Sequence, residues 1–224
     1  MEFKHSVMSA ALLAASAFSG GAQAALTSNA GVFSEYLFRG VKQSNGVAVQ
    51  GGLDYSHESG FYAGTWISNL DSSLGFGSYE TDIYGGYATR LFDLFNVDAG
   101  LLYYYYADVS APNTLEGYLG VTAGPVSVKG FYTQAYFGSS ESAVYVTANS
   151  AYSLTDTLAL IPQVGYSTGD GVKALFKKDY VDYSLNLAKT WDYGITFSLG
   201  AFGTSIDGDD PKLLLGVKKT FDLL

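Results

Sequence analysis

The chain has 224 residues, 48% hydrophobic and 16% aromatic but only 15% charged, with 27 Gly, 19 Tyr and no Cys. A net charge of -9 argues against a nucleic-acid partner, which would call for a basic face, and the absence of Cys excludes disulfide frameworks and thiolate chemistry. Charge is scarce beside the quarter or so usual in water-soluble domains, so part of this surface is expected to meet a solvent other than water.

Residues 1–24 read as a secretory signal. Lys4 and His5 form a short basic start, Val7 to Ser19 is apolar and Ala-rich, and Ala22-Gln23-Ala24 fits the small-x-small cleavage pattern. Cleavage after Ala24 is expected, leaving 25–224 as one domain. That domain has no uncharged apolar run long enough for a spanning helix; its longest candidates, Ser142 to Thr155 and Tyr193 to Ile206, are full of Gly, Ser and Thr. Such a chain enters a membrane only as a closed barrel, because lipid leaves no partner for an unpaired backbone group.

Hydrophobicity alternates with period two along most of the mature chain, most plainly over 79–91. There Tyr79, Thr81, Ile83, Tyr87 and Leu91 share one parity, and Glu80, Asp82, Tyr84 and Arg90 the other. Alternating stretches and turn signals predict twelve strands, over 28–40, 46–56, 60–69, 79–91, 95–107, 114–123, 126–136, 143–152, 157–167, 179–189, 193–203 and 213–222. The even-numbered strands end in short turns, such as Gly124-Pro125 and Trp191-Asp192. The odd-numbered ones end in longer polar segments, such as Leu70 to Ser78 and Thr204 to Lys212. Strands of this length with alternating short and long connections predict an all-β fold: a twelve-stranded antiparallel up-and-down transmembrane barrel in the outer membrane, short turns and both termini periplasmic. The rival is a soluble double sheet or lipocalin-like barrel, which turns its apolar parity inward.

Parity assigns Tyr103 and Tyr105 to the lipid side and Tyr104 and Tyr106 to the lumen, with Tyr84, Tyr118 and Tyr145 also inward. The outward set suits an interfacial aromatic girdle, and the inward set suits space-filling or a stacking track for a sugar-like solute. Pro112, Pro125 and Pro211 fall in connections, whereas Pro162 lies inside the ninth strand and predicts a bulge or a lost ladder bond. Catalysis is poorly supplied, since the only His of the mature chain, His57, falls in a short turn without a placed nucleophile, and no enzymatic activity is expected. No cofactor motif or metal-ligand cluster is present, and Asp207-Gly208-Asp209-Asp210 lacks the spacing of a calcium loop.

The runs Ser34-Glu35-Tyr36-Leu37-Phe38-Arg39-Gly40-Val41-Lys42-Gln43, Gln50 to Tyr55, Gly60 to Asn69 and Glu80 to Tyr87 resemble the TorF family of Gram-negative porins. The likeness covers about the first third of the mature chain. Glu35 stands where that family usually has Asp, and Lys42 where it usually has Ser. The resemblance implies passive passage of small hydrophilic solutes across the outer membrane, with outer-membrane lipid and lipopolysaccharide around the barrel.

By parity the lumen is expected to be lined by Glu35, Arg39, Gln50, Asp54, Glu80, Asp82, Arg90, Asp98, Glu116, Lys129, Asp182 and Lys218. The acid excess predicts a mild preference for cations or neutral solutes. Twelve strands give a backbone radius on the order of 12 Å, so two readings stay open. One is a narrow channel; the other is a packed, non-conducting barrel serving as a structural or adhesion element through its outer loops. Arg39 is expected to pair with Asp54 or Glu80, and Glu35 with a neighbouring strand.

Overall fold

The computed structural model describes residues 24–106 and 113–224. The signal-like segment up to Gln23, the expected last residue of the fifth strand and Pro112 lie outside the described residues. Twelve strands form the wall: β1 (Ala25–Phe33), β2 (Ala48–Ser56), β3 (Phe61–Asn69), β4 (Tyr79–Leu91), β5 (Phe95–Tyr105), β6 (Thr114–Ala123), β7 (Val126–Thr133), β8 (Ala143–Ser150), β9 (Leu158–Thr168), β10 (Tyr180–Trp191), β11 (Ile195–Thr204) and β12 (Lys212–Asp222). Each pairs antiparallel with the next, and β1 pairs with β12, so the sheet closes on itself. The only described helix longer than a single turn, α1 (Asp170–Phe176), sits between β9 and β10.

The direction of the two faces decides between membrane and water. Leu101, Leu119 and Leu215 are 57%, 57% and 62% exposed on the outer face, within a continuous belt of Leu, Val, Ile and aromatic side chains. Their even-parity neighbours Glu80, Asp82, Glu116 and Asp182 are buried inside. A soluble barrel would reverse these faces, because water does not tolerate an apolar belt of this extent. At the short-turn end the belt ends in aromatics, including Phe92, Tyr193, the Phe61–Tyr87 pair at 4.9 Å and the Trp191–Phe197 pair at 4.8 Å. At the long-loop end Tyr105, Tyr132, Tyr166 and Tyr183 are exposed outward, as a girdle requires.

Small inner-face residues let large ones fold against the wall. A methyl group on Gly64 would stand 2.5 Å from the ring of Tyr84, and one on Gly86 would stand 2.5 Å from the Tyr62 hydroxyl. Glycine on one strand thus seats a tyrosine ring from the next, which accounts for Gly and Tyr rising together in the composition.

Pro162 keeps strict register with β10, opposite Leu185, and there is no bulge. The ladder to β8 is interrupted instead: pairing stops at Asn149–Gln163 and resumes at Tyr152–Leu160, where the strand continues briefly as Tyr152–Ser153. The missing proline N–H thus removes rungs without shifting register, while on the other side of β8 the bond from Ala151 N–H to Pro125 O at 3.2 Å extends the β7 ladder.

The first strand departs from expectation. The β1 ladder ends at Phe33, not at residue 40, and Ser34 closes it through paired bonds with Leu215. Residues 35–47 then leave the wall. Arg39 and Gly40 have φ of 48° and 79°, turning Leu37–Phe38 back onto Val41–Lys42 as a two-rung hairpin. Alternation persists through the segment because a hairpin alternates as a wall strand does, so period two alone does not separate them.

Candidate functional site in the barrel lumen

The hairpin forms a strap across the lumen. Arg39 reaches β6, five strands round the wall from β1, and its Nη2 donates to Glu116 Oε1 at 2.9 Å and Oε2 at 2.7 Å. The guanidinium lies 4.3 Å from the Tyr145 ring centroid and 4.7 Å from that of Phe38. Gly40 packs against the opposite side, where an added methyl group would come within 2.5 Å of Thr204 and 3.0 Å of Asp182. Around the strap, Phe38, Phe76, Tyr104, Tyr106, Tyr136 and Phe137 form an edge-to-face aromatic cluster with centroid spacings such as 5.6 Å for Phe38–Tyr104 and 4.7 Å for Tyr136–Phe137. These contacts narrow the long-loop end of the passage.

Arg39 therefore meets Glu116, not Asp54 or Glu80, because the residue stands on a strap and not on the wall. Glu35 likewise does not meet a neighbouring strand. It pairs with Lys42 of its own segment at 2.5 Å, at the partly exposed mouth. Arg90 is exposed at the short-turn rim, where it donates to Asp93 O at 2.7 Å. Gln50, Asp54, Glu80, Asp82, Asp98, Glu116, Lys129, Asp182 and Lys218 all lie on the inner face.

The interior falls into two layers. At the long-loop end Glu80, Asp82, Glu116 and Asp182 are accompanied by Arg39. Toward the short-turn end Asp54 and Asp98 are balanced by Lys218 and Lys129, with Lys129 Nζ 2.6 Å from Asp98 and Lys218 within electrostatic reach of Asp54. The acid excess is thus concentrated in one layer.

Tyrosine hydroxyls supply most of the donors. Tyr36 and Tyr106 donate to Glu80 at 2.7 and 2.6 Å, Tyr104 to Glu116 at 3.0 Å, and Tyr145 to Asp182 at 3.2 Å. Tyr84 donates to Asp54, and Tyr62 to Asp98, with Tyr118 2.5 Å from Tyr62. The inward tyrosines thus act as hydrogen-bond donors to acids, a role that parity could not reveal because each partner sits on another strand. Two acids keep a buried oxygen that no donor reaches among the described residues, Asp182 Oδ2 and Asp82 Oδ1; Asp182 accepts from Tyr145 on its other oxygen, whereas Asp82 takes no tyrosine hydroxyl.

Outside the wall, His57 Nδ1 lies 2.7 Å from Ser59 in a solvated turn. Asp207 pairs with Lys178 at 2.6 Å, and Asp209 pairs with Lys212 while accepting from Thr204 at 2.6 Å. Burial pushes the Asp209 carboxyl up, but the Lys212 and Thr204 hydrogen bonds outweigh it and hold the group below its usual range.

The interior is thus polar and charged inside a closed wall of twelve strands. A model of the family described as "Bacterial protein of unknown function (Gcw_chp)" matches residues 17–222. The chain belongs to the Gcw_chp family. No curated protein matches its sequence significantly. Among solved structures, this Gcw_chp chain is similar to the KdgM porin, with a TM-score of 0.62 at 14% identity, covering 87% of this chain and 99% of that one. KdgM in complex with disordered oligogalacturonate gives 0.60 at 13% identity, covering 88% and 99%. The NanC porin gives 0.57 at 14%, covering 89% and 100%, and the COG4313 outer membrane channel from Pseudomonas putida F1 gives 0.51 at 11%, covering 92% and 97%. At such identities the likeness is one of fold: an outer-membrane porin-like barrel.

Proposed function

We propose that this Gcw_chp protein is an outer-membrane porin admitting small hydrophilic solutes, with a preference for cationic or neutral ones over anions. The observation that carries the reading is the inner face, a continuous array of carboxylates, tyrosine hydroxyls and two lysines inside an apolar outer belt. Such a surface is wasted on a packed core and suited to a wetted passage. The acid excess at the long-loop end supports the charge preference, since carboxylates in a low-dielectric surround attract cations and repel anions. On this reading an anionic oligosaccharide such as the oligogalacturonate bound by KdgM is disfavoured. The even strand number supports placing both termini with the short turns on the periplasmic side. The resemblance of the first third to TorF-family porins supports passive passage, and the porin neighbours support a conduit over an enzyme.

The strap favours a second reading, a non-conducting barrel acting through its outer loops. Planar-bilayer recording of the refolded mature protein separates the two. Discrete current steps with a reversal potential toward cations in a KCl gradient are expected. A barrel that inserts, shifts on heating in gels and passes no current sinks the porin reading.

A further inference from the structure

We propose that the long-loop end of the lumen contains a binding site for a monovalent cationic group, with Asp82 as its anionic ligand and Trp66 and Tyr104 as flanking aromatic walls. The inference deepens the porin reading and rests on it for the route by which the cation arrives.

Asp82 is 6% exposed on the inner face of β4, and its Oδ1 is closed to solvent without a donor among the described residues. The nearby donors are committed elsewhere. Tyr36 and Tyr106 serve Glu80, while Arg39 and Tyr104 serve Glu116. One guanidinium therefore faces four carboxylates at this level, Glu80, Asp82, Glu116 and Asp182. A buried carboxylate with neither donor nor counter-charge is costly, so Asp82 needs a partner that the wall does not supply.

The surroundings select the kind of partner. In the ladders Trp66 of β3 stands directly opposite Asp82 on one side and Tyr104 of β5 on the other. Both rings belong to or pack against the aromatic cluster of the lumen. A carboxylate on a strand flanked in register by a tryptophan and a tyrosine suits an ammonium-type cation, which gains from the anion and from an aromatic face together. Chelation of a divalent metal is a poorer fit, since among the described residues no group of three His, Asp or Glu side chains converges to hold one.

The test is the heat-modification midpoint of the refolded full barrel, read by gel shift, as methylammonium chloride replaces bulky tetrapropylammonium chloride at constant ionic strength; a parallel series uses KCl. A cation that binds the folded barrel raises the midpoint by mass action. The midpoint should rise with methylammonium in the wild type and in Asp54→Asn, and the rise should vanish in Asp82→Asn. Trp66→Leu should lose the methylammonium response while retaining any response to K⁺. A wild type without any rise, as a protonated Asp82 would give, overturns the site, as does an unchanged rise in Asp82→Asn. Should Asp82→Asn not fold, the wild-type titration and Trp66→Leu still decide. Bilayer recording keeps the two ideas apart. A conducting barrel without cation-dependent stabilisation retains the porin and loses the site, whereas a silent barrel with Asp82-dependent stabilisation does the reverse.

Discussion

Replacing Arg39 with Ala tests the strap directly. In the native barrel its guanidinium makes two charge-assisted bonds to a carboxylate that is itself 1% exposed, with the Arg39 and Glu116 side chains 5% and 2% accessible. Removing the cation leaves Glu116 with the Tyr104 hydroxyl as its hydrogen-bond donor, at 3.0 Å. Breaking one side of a buried ion pair costs about 3–5 kcal/mol, and the lower end applies here because water entering the vacated lumen rehydrates the acid. The double variant Arg39→Ala/Glu116→Ala should recover much of that loss, since no unpaired charge is left behind. Urea unfolding in detergent followed by tryptophan fluorescence measures the stability. Trp66 is a local reporter, its ring lying 5.2 Å from that of Tyr36 on the strap. In bilayers the same variant should show larger unit conductance, because the strap has lost its anchor on β6. Wild-type stability together with wild-type conductance in Arg39→Ala refutes the claim that this pair holds the strap across the lumen.

Gly64→Val should destabilise the barrel by about 1–3 kcal/mol, because its first carbon already stands 2.5 Å from the Tyr84 ring; unfolding midpoints check this. Lys129→Gln removes the ammonium 2.6 Å from Asp98, so cation selectivity in a KCl gradient should rise while the unfolding midpoint falls. The acidic loop should weaken at low pH. The Asp209 carboxyl is held below its usual range, so its contribution is fully present above the unfolded carboxylate pKa of about 3.9 and is lost as pH falls through the lower folded value. Protease cleavage within residues 205–211 should accelerate below about pH 4 in the wild type, and Asp209→Asn should be cleaved faster already at neutral pH, with little further change on acidification.

The wall was legible in the sequence because its causes are local. Alternation over 79–91 and the turn at Gly124-Pro125 state which backbone is extended and where it reverses, and β4 and β6 run over the residues read from pattern alone. The lost rungs beside Pro162 were legible for the same reason, since a missing N–H is a property of the residue itself. The candidate site was legible as a set of inward residues but not as a set of partners. Parity gave Glu80 and Asp82 the same face and could not say that Glu80 has two tyrosine donors while Asp82 has none among the described residues.

By itself the sequence determined a run of alternating strands with one apolar and one charged face, since period two sends successive side chains to opposite sides of a sheet; that the apolar face turns outward was decided by the closed structure. Only the tertiary structure decided that residues 35–47 leave the wall and that Arg39 crosses to Glu116. A hairpin and a wall strand alternate identically along the chain. Which of the two forms depends on what the far side of the closed barrel offers, and Glu116, 77 residues away in sequence, becomes a neighbour only once β12 has met β1.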